Sequence, residues 1–112
     1  MGNKLFKARS EIIKALAHEL RLEIVDMLSK KEHCVCDLVE KLDASQSTVS
    51  KHLGVLKKAG IVDSQKEGLN VTYFLETPCI INFFNCIDEV LLKNYEKKEE
   101  ELELIKKLKE DE

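Results

Sequence analysis

The sequence is poor in the residues that mark extended or disordered chains, with one proline and four glycines in 112 residues. Collagen, mucin-like stalks and proline-rich disorder are excluded, and a charged share of 35%, against about a quarter in ordinary domains, suits a helical globular chain. No apolar run approaches the roughly 18 residues that a membrane helix needs. Met1 to Lys7 is too short and too charged to open a signal peptide, which predicts an intracellular, cytoplasmic chain. Two modification motifs read as chance matches. Phe6 stands where a myristoylation signal wants Ser or Thr, and the sequon Asn70-Val71-Thr72 has no secretory route. The four cysteines, about 4% of residues, fall short of the roughly 8–10% of a disulfide scaffold, so metal or thiol chemistry is the expected use. Cys-x-x-Cys spacing, a βαβ pattern, a Gly-rich phosphate loop and a His/Asp set beside a nucleophile are all missing, and no enzyme is expected.

The chain is short of the roughly 150 residues of an average domain and buries only about two-thirds of its extended surface. A second copy is expected to complete the core. The net charge of −3 argues against nucleic acid only if it is spread evenly, and it is not. Residues 96–112 hold eight acids, Glu112 among them, and five lysines, which carry the whole excess. Ser45 to Gly60 instead carries Lys51, Lys57 and Lys58 and no carboxylate, a local +3 suited to phosphates.

Apolar spacing predicts two helices meeting near Ala17-His18, the first through Leu5, Phe6, Ile12, Ile13 and Leu16, the second through Leu20 to Ser29. A short helix is expected over Cys34 to Leu42, then a tight turn at Asp43-Ala44. Ser45 reads as an N-cap and Gly60 as a C-terminal glycine, bounding a helix of about 15 residues. At 100° per residue Val49, Leu53 and Leu56 share one side of it, and Ser47, Lys51, Gly54 and Lys58 the other. Ile61 to Lys66 and Val71 to Leu75 flank Glu67-Gly68-Leu69-Asn70, predicting a hairpin with a four-residue loop. Thr77 as cap and Pro78 in the first turn open a last helix through Phe83, Phe84, Ile87 and Leu91. Beyond Tyr95 it is expected to continue and fray, with any heptad seam interrupted by the polar stretch 96–101.

Two short helices across a tight turn, the second basic outside and apolar inside, followed at once by a hairpin, describe a winged helix-turn-helix. The expected class is mainly α with a small β-hairpin, divided into residues 1–95 for DNA binding and dimerisation and a charged helical extension, 96–112. Such a helix fits the major groove, where hydroxyl and amide groups read base edges while lysines hold phosphates.

Ala15-Leu16-Ala17-His18 with Arg21-Leu22, then Glu32-His33-Cys34-Val35-Cys36-Asp37-Leu38, then Ser45 to Leu53, then Leu56-Lys57-Lys58-Ala59-Gly60 resemble the ArsR/SmtB family of repressors over roughly residues 10–90. The resemblance implies a homodimer, paired through its first and last helices, that binds double-stranded DNA bearing an inverted-repeat operator. It implies release by a metal, a metalloid or another chemical signal. Recognition contacts carry over to Gln46, Ser47, Thr48, Ser50, Lys51 and His52, with Lys58 on the same outward face. In the wing Leu69-Asn70 replace the usual basic residues and Lys66 is the nearby cation.

By the same resemblance, Cys34 and Cys36 are thiolates for As(III), Sb(III), Cd(II) or Pb(II), As(III) first, and DNA binding itself needs no cofactor. Soft thiolates suit these ions. The third cysteine that often follows is Val39 here, leaving Cys79, Cys86 or His33 as candidates for a third ligand. Residues two apart on a helix point about 200° from one another, so binding is expected to unwind the helix's first turn and alter how a dimer spaces its recognition helices. No histidine follows His52, against the family's other site, built of His and carboxylates on the last helix. A thiol redox or persulfide switch is the alternative; the persulfide type is disfavoured because residues 19–31 lack cysteine. An interaction module using the C-terminal helix is the alternative of another class.

Overall fold

The computed structural model describes residues 2–111, so Met1 of the N-terminal motif and Glu112 of the acidic tail lie outside it. The chain divides into a unit ending at Pro78 and one beginning at Cys79. The first contains α1 (Gly2–Leu16), α2 (Glu19–Lys30), β1 (His33–Cys34), α3 (Val35–Leu42), α4 (Gln46–Lys58), β2 (Val62–Glu67) and β3 (Asn70–Leu75); the second is α5 (Ile80–Glu110). Among the described residues no helix is long and apolar enough to cross a membrane.

The first unit is a winged helix-turn-helix. Its core takes Ile24, Val25 and Leu28 from α2, Leu38 from α3, Val49, Leu53 and Leu56 from α4, and Ile61 and Val62 at the entry to the wing. These are the apolar positions that helical spacing assigns to inward faces. The turn between α3 and α4 is set by Asp43, at φ 50° the one non-glycine residue with positive φ among those described. Asp tolerates that left-handed conformation better than most side chains. Ser45 caps α4 by accepting the Thr48 amide at 3.2 Å, and Gly60, at φ 83°, turns the chain out of the helix.

The sheet differs from the expected hairpin in two ways. Glu67 pairs with Asn70, so the loop is two residues, Gly68-Leu69, with Gly68 at φ 63°. Such tight loops match the strand twist when the first loop residue takes positive φ. A third strand, β1, also pairs antiparallel with β3, His33 opposite Tyr73 and Cys34 opposite Thr72, giving the order β1-β3-β2. Two residues are too short a strand to show any alternation in sequence.

The last helix also starts later than expected. Pro78 lies in the turn before α5, and the Thr77 hydroxyl donates to the Gly60 carbonyl at 3.3 Å instead of capping the helix. α5 then runs unbroken for 31 residues through the polar stretch to Glu110. It has no buried residue; Phe83, Ile87, Leu91, Leu102 and Ile105 are all exposed. On α1, Leu5, Phe6 and Ile13 are each at least half exposed.

Candidate functional site

Two constellations in the first unit carry chemistry. The first is the outward side of α4, where Gln46, Ser47, Thr48, Ser50, Lys51, Gly54 and Lys58 are exposed and Val49, Leu53 and Leu56 are buried. At the helix N-terminus the Ser45 hydroxyl donates to Thr48 Oγ1 at 2.8 Å and lies 3.2 Å from Ser47 Oγ, so these three hydroxyls form one cluster. No carboxylate stands on this helix, and Lys51 and Lys58 are exposed. Lys57 does not: it donates to Ser64 Oγ at 2.8 Å and lies 3.8 Å from Asp63, tying the helix end to β2. Lys66 and Leu69 are exposed on the wing, Leu69 fully.

His52 must be removed from the expected DNA contacts. It is 7% exposed, and its Nδ1 accepts the Arg21 Nε–H at 3.0 Å while the His18 ring lies 4.3 Å away between centroids. At 100° per residue it sits beside Leu53 and Leu56 and turns inward with them. Burial holds its pKa below the ordinary histidine value, and the charges of His18, Arg21 and Lys51 push the same way.

The second constellation lies where β1 passes into α3. α3 begins at Val35, and Cys34 precedes it as N-cap in extended backbone, φ −77° and ψ 164°, its Sγ accepting the Asp37 amide at 3.3 Å. The 200° divergence expected of two helical cysteines therefore does not arise. Their Cα atoms are 5.3 Å apart, the sulfurs converge, and here the pair is joined as a disulfide.

Among the described residues one group of three donors is close enough to hold a metal: the sulfurs of Cys34 and Cys36 and a carboxylate oxygen of Asp37, all within 4.8 Å of one another. Beside it His33 is 4% exposed, and its Nδ1 has no hydrogen-bond partner, the nearest charge being Asp37 Oδ2 at 3.5 Å. A buried polar atom left unpaired costs free energy unless something completes its surroundings. His33 meets this group only through Asp37, whose other role is that of a donor beside the two sulfurs. None of the three expected candidates for a third ligand belongs to this group: His33 lies outside it, and Cys79 and Cys86 are free and exposed. Asp37 was in plain view in the sequence, directly after the second cysteine; an acid in a first helical turn is usually read as a partner of the helix dipole, and that masked it.

Residues 18–64 match the bacterial regulatory protein, arsR family. The chain is 45% identical over 87 residues to a cadmium resistance transcriptional regulatory protein of Listeria innocua, covering 73% of each sequence. It is 46% identical over 66 residues to the arsenical resistance operon repressor of Escherichia coli, covering 58% of this chain and 56% of that one. The fold resembles the homodimeric winged helix-turn-helix DNA-binding domain of a possible ArsR-family regulator from Mycobacterium bovis, with a TM-score of 0.74 and 26% identity over 85% of this chain and 88% of the other. These relatives are regulators of transcription, not enzymes. With an exposed polar and basic face on α4, a wing after it and cysteines at the head of α3, the chain belongs to the ArsR family of DNA-binding transcriptional repressors.

Proposed function

We propose that this repressor leaves its operator when a thiophilic ion binds at Cys34 and Cys36, As(III) first, then Sb(III), Cd(II) and Pb(II). The observation that carries the reading is the convergence of the two sulfurs with Asp37 at the β1–α3 junction. Once a thiol reductant has converted the disulfide to two thiols, arsenous acid would exchange two of its three hydroxyls for the two sulfurs, the thiol protons leaving with them as two waters, and the third oxygen would stay on arsenic facing the Asp37 carboxylate. Thiolate and carboxylate together suit the divalent ions as well. Cys34 both caps α3 and pairs with β3, so a ligand on its sulfur competes with the Asp37 amide and pulls on the wing as well as on the helix-turn-helix.

On the DNA side, Gln46, Ser47, Thr48, Ser50 and Lys51 would face the major groove, with Lys58 and Lys66 near phosphates. A homodimer paired through α1 and α5 would present two such helices to an inverted repeat, and the exposed Leu5, Phe6, Ile13, Phe83, Ile87 and Leu91 supply its apolar surface. Residues 96–112 would extend the dimerisation helix as a charged tail, and the protein would act in the cytoplasm.

The test is fluorescence anisotropy of duplex DNA from the protein's own upstream region, with reduced protein, with and without one As(III) per monomer. Selective binding that As(III) weakens about tenfold or more, roughly 1.4 kcal/mol of coupling, supports the reading. No preference over random duplex at physiological salt would overturn it. A second reading is favoured by the bonded sulfurs themselves: the same pair acts as a dithiol–disulfide switch. Release by oxidant in the absence of ion would select it.

A further inference from the structure

The recognition helix is anchored to the rest of its unit by an unusual polar joint. Arg21 Nε donates to His52 Nδ1 at 3.0 Å, and its Nη1 donates to the carbonyl oxygens of Lys14 at 3.3 Å and Ala15 at 3.2 Å. One guanidinium thus ties the last turn of α1, the first turn of α2 and the middle of α4. His18 completes the joint. Its Nδ1 accepts the Leu20 amide at 3.1 Å, capping α2, and its ring lies against that of His52, tilted by 40°.

The joint works in only one protonation state. Nδ1 can accept from Arg21 when the imidazole is neutral with its proton on Nε2, whereas an imidazolium carries hydrogen on both nitrogens and accepts nothing. The titratable and charged groups that face His52 are His18 and Arg21 from the α2 side and Lys51 on α4, all cationic or able to become so. Glu11 and Lys14 of α1 and Lys58 of α4 line the adjoining groove with Arg21. A proton on His52 would therefore sit against a guanidinium it has just lost as a partner.

We propose that Arg21 and His52 are positioning residues for DNA binding: a neutral His52 lets Arg21 lock the recognition helix to the α1–α2 corner, and protonation of His52 releases it and weakens operator binding in mild acid. This rests on the reading of α4 as the recognition helix. The direction is diagnostic. Acid adds positive charge to a protein, and added charge by itself tightens binding to polyanionic DNA. The joint predicts the opposite. Burial and cationic neighbours keep His52 below the ordinary value of about 6.5, so the loss begins below that pH.

The experiment measures operator affinity of the reduced full chain by anisotropy from about pH 7.5 to about pH 5.5, alongside NMR titration of the His52 ring. About tenfold weaker binding at the acid end, with a midpoint that follows the His52 titration, is expected. His52→Asn, whose Oδ1 takes the place of Nδ1 without titrating, should flatten the profile and bind better than His52→Ala. Arg21→Gln removes the donor of the joint itself and should weaken operator binding at about pH 7.5 and flatten the acid limb, which carries the test if the His52 variants do not fold. A profile that stays flat or tightens in acid, or an acid limb that persists in His52→Asn, overturns the proposal. Loss of operator preference at about pH 7.5 in the wild type would instead sink the assignment of α4 itself.

Discussion

His33 and His52 are both buried, both polar and both in the first unit, yet their surroundings are opposite. His52 is satisfied, with a guanidinium on its acceptor nitrogen and a second ring against its face. His33 has an Nδ1 without a hydrogen-bond partner, with only the Asp37 carboxylate 3.5 Å away. The satisfied histidine joins α4, through Arg21, to the corner between α1 and α2. The unsatisfied one stands at the β1–α3 junction, next in sequence to Cys34. Buried polar groups are stabilising only when partnered, so the contrast separates a satisfied joint from an unsatisfied position on physical grounds.

The contrast can be broken at its most sensitive point by replacing Cys34 and Cys36 with Ser. Operator anisotropy should then no longer respond to As(III) at any concentration that releases the wild type, and a preserved response would move the sensor elsewhere. Next in size is Leu53→Ala, beside His52 in the core, where truncation of a fully buried leucine should cost about 2–5 kcal/mol by chemical denaturation. His52→Leu should cost about 1–3 kcal/mol, because Arg21 is left with an unpaired donor. His33→Leu should cost less, within about 1 kcal/mol, since it removes a group that already lacks a partner. Equal costs for the two histidines would erase the distinction drawn between them.

Acid sharpens the same comparison. A histidine whose folded pKa lies below its unfolded value is fully accommodated above the unfolded pKa. As pH falls through about 6.5 the unfolded chain takes up the proton first, and stability is lost until the folded pKa is passed. Denaturation midpoints should therefore drop on acidification below about pH 6.5, and the drop should shrink in His52→Asn.

Much of this was legible in the sequence because helix ends and inward faces leave local signals. Ser45 before a basic amphipathic stretch and Gly60 after it bound α4 within a residue or two of its observed limits. The wing was visible in its β-branched and aromatic run, although its loop is two residues and not the four expected, because Glu67 and Asn70 pair with each other. What stayed hidden depends on contacts between distant residues. β1 exists only because β3 pairs with it, and that pairing puts Cys34 in extended backbone ahead of α3, not within it. His52 looked like a DNA contact because its neighbours Lys51 and Ser50 face outward; the Arg21 that turns it inward lies 31 residues earlier. Asp37 became a candidate donor only once the two sulfurs were seen to converge on its carboxylate.

The most direct test of the sensor site is arsenic X-ray absorption on the reduced full chain with one As(III) per monomer. The account predicts two sulfur neighbours and one oxygen around arsenic, lost together in the Cys34→Ser, Cys36→Ser variant. A shell of three sulfurs would bring in Cys79 or Cys86 and contradict the site built from Cys34, Cys36 and Asp37, and a shell without sulfur would contradict the thiolate sensor altogether.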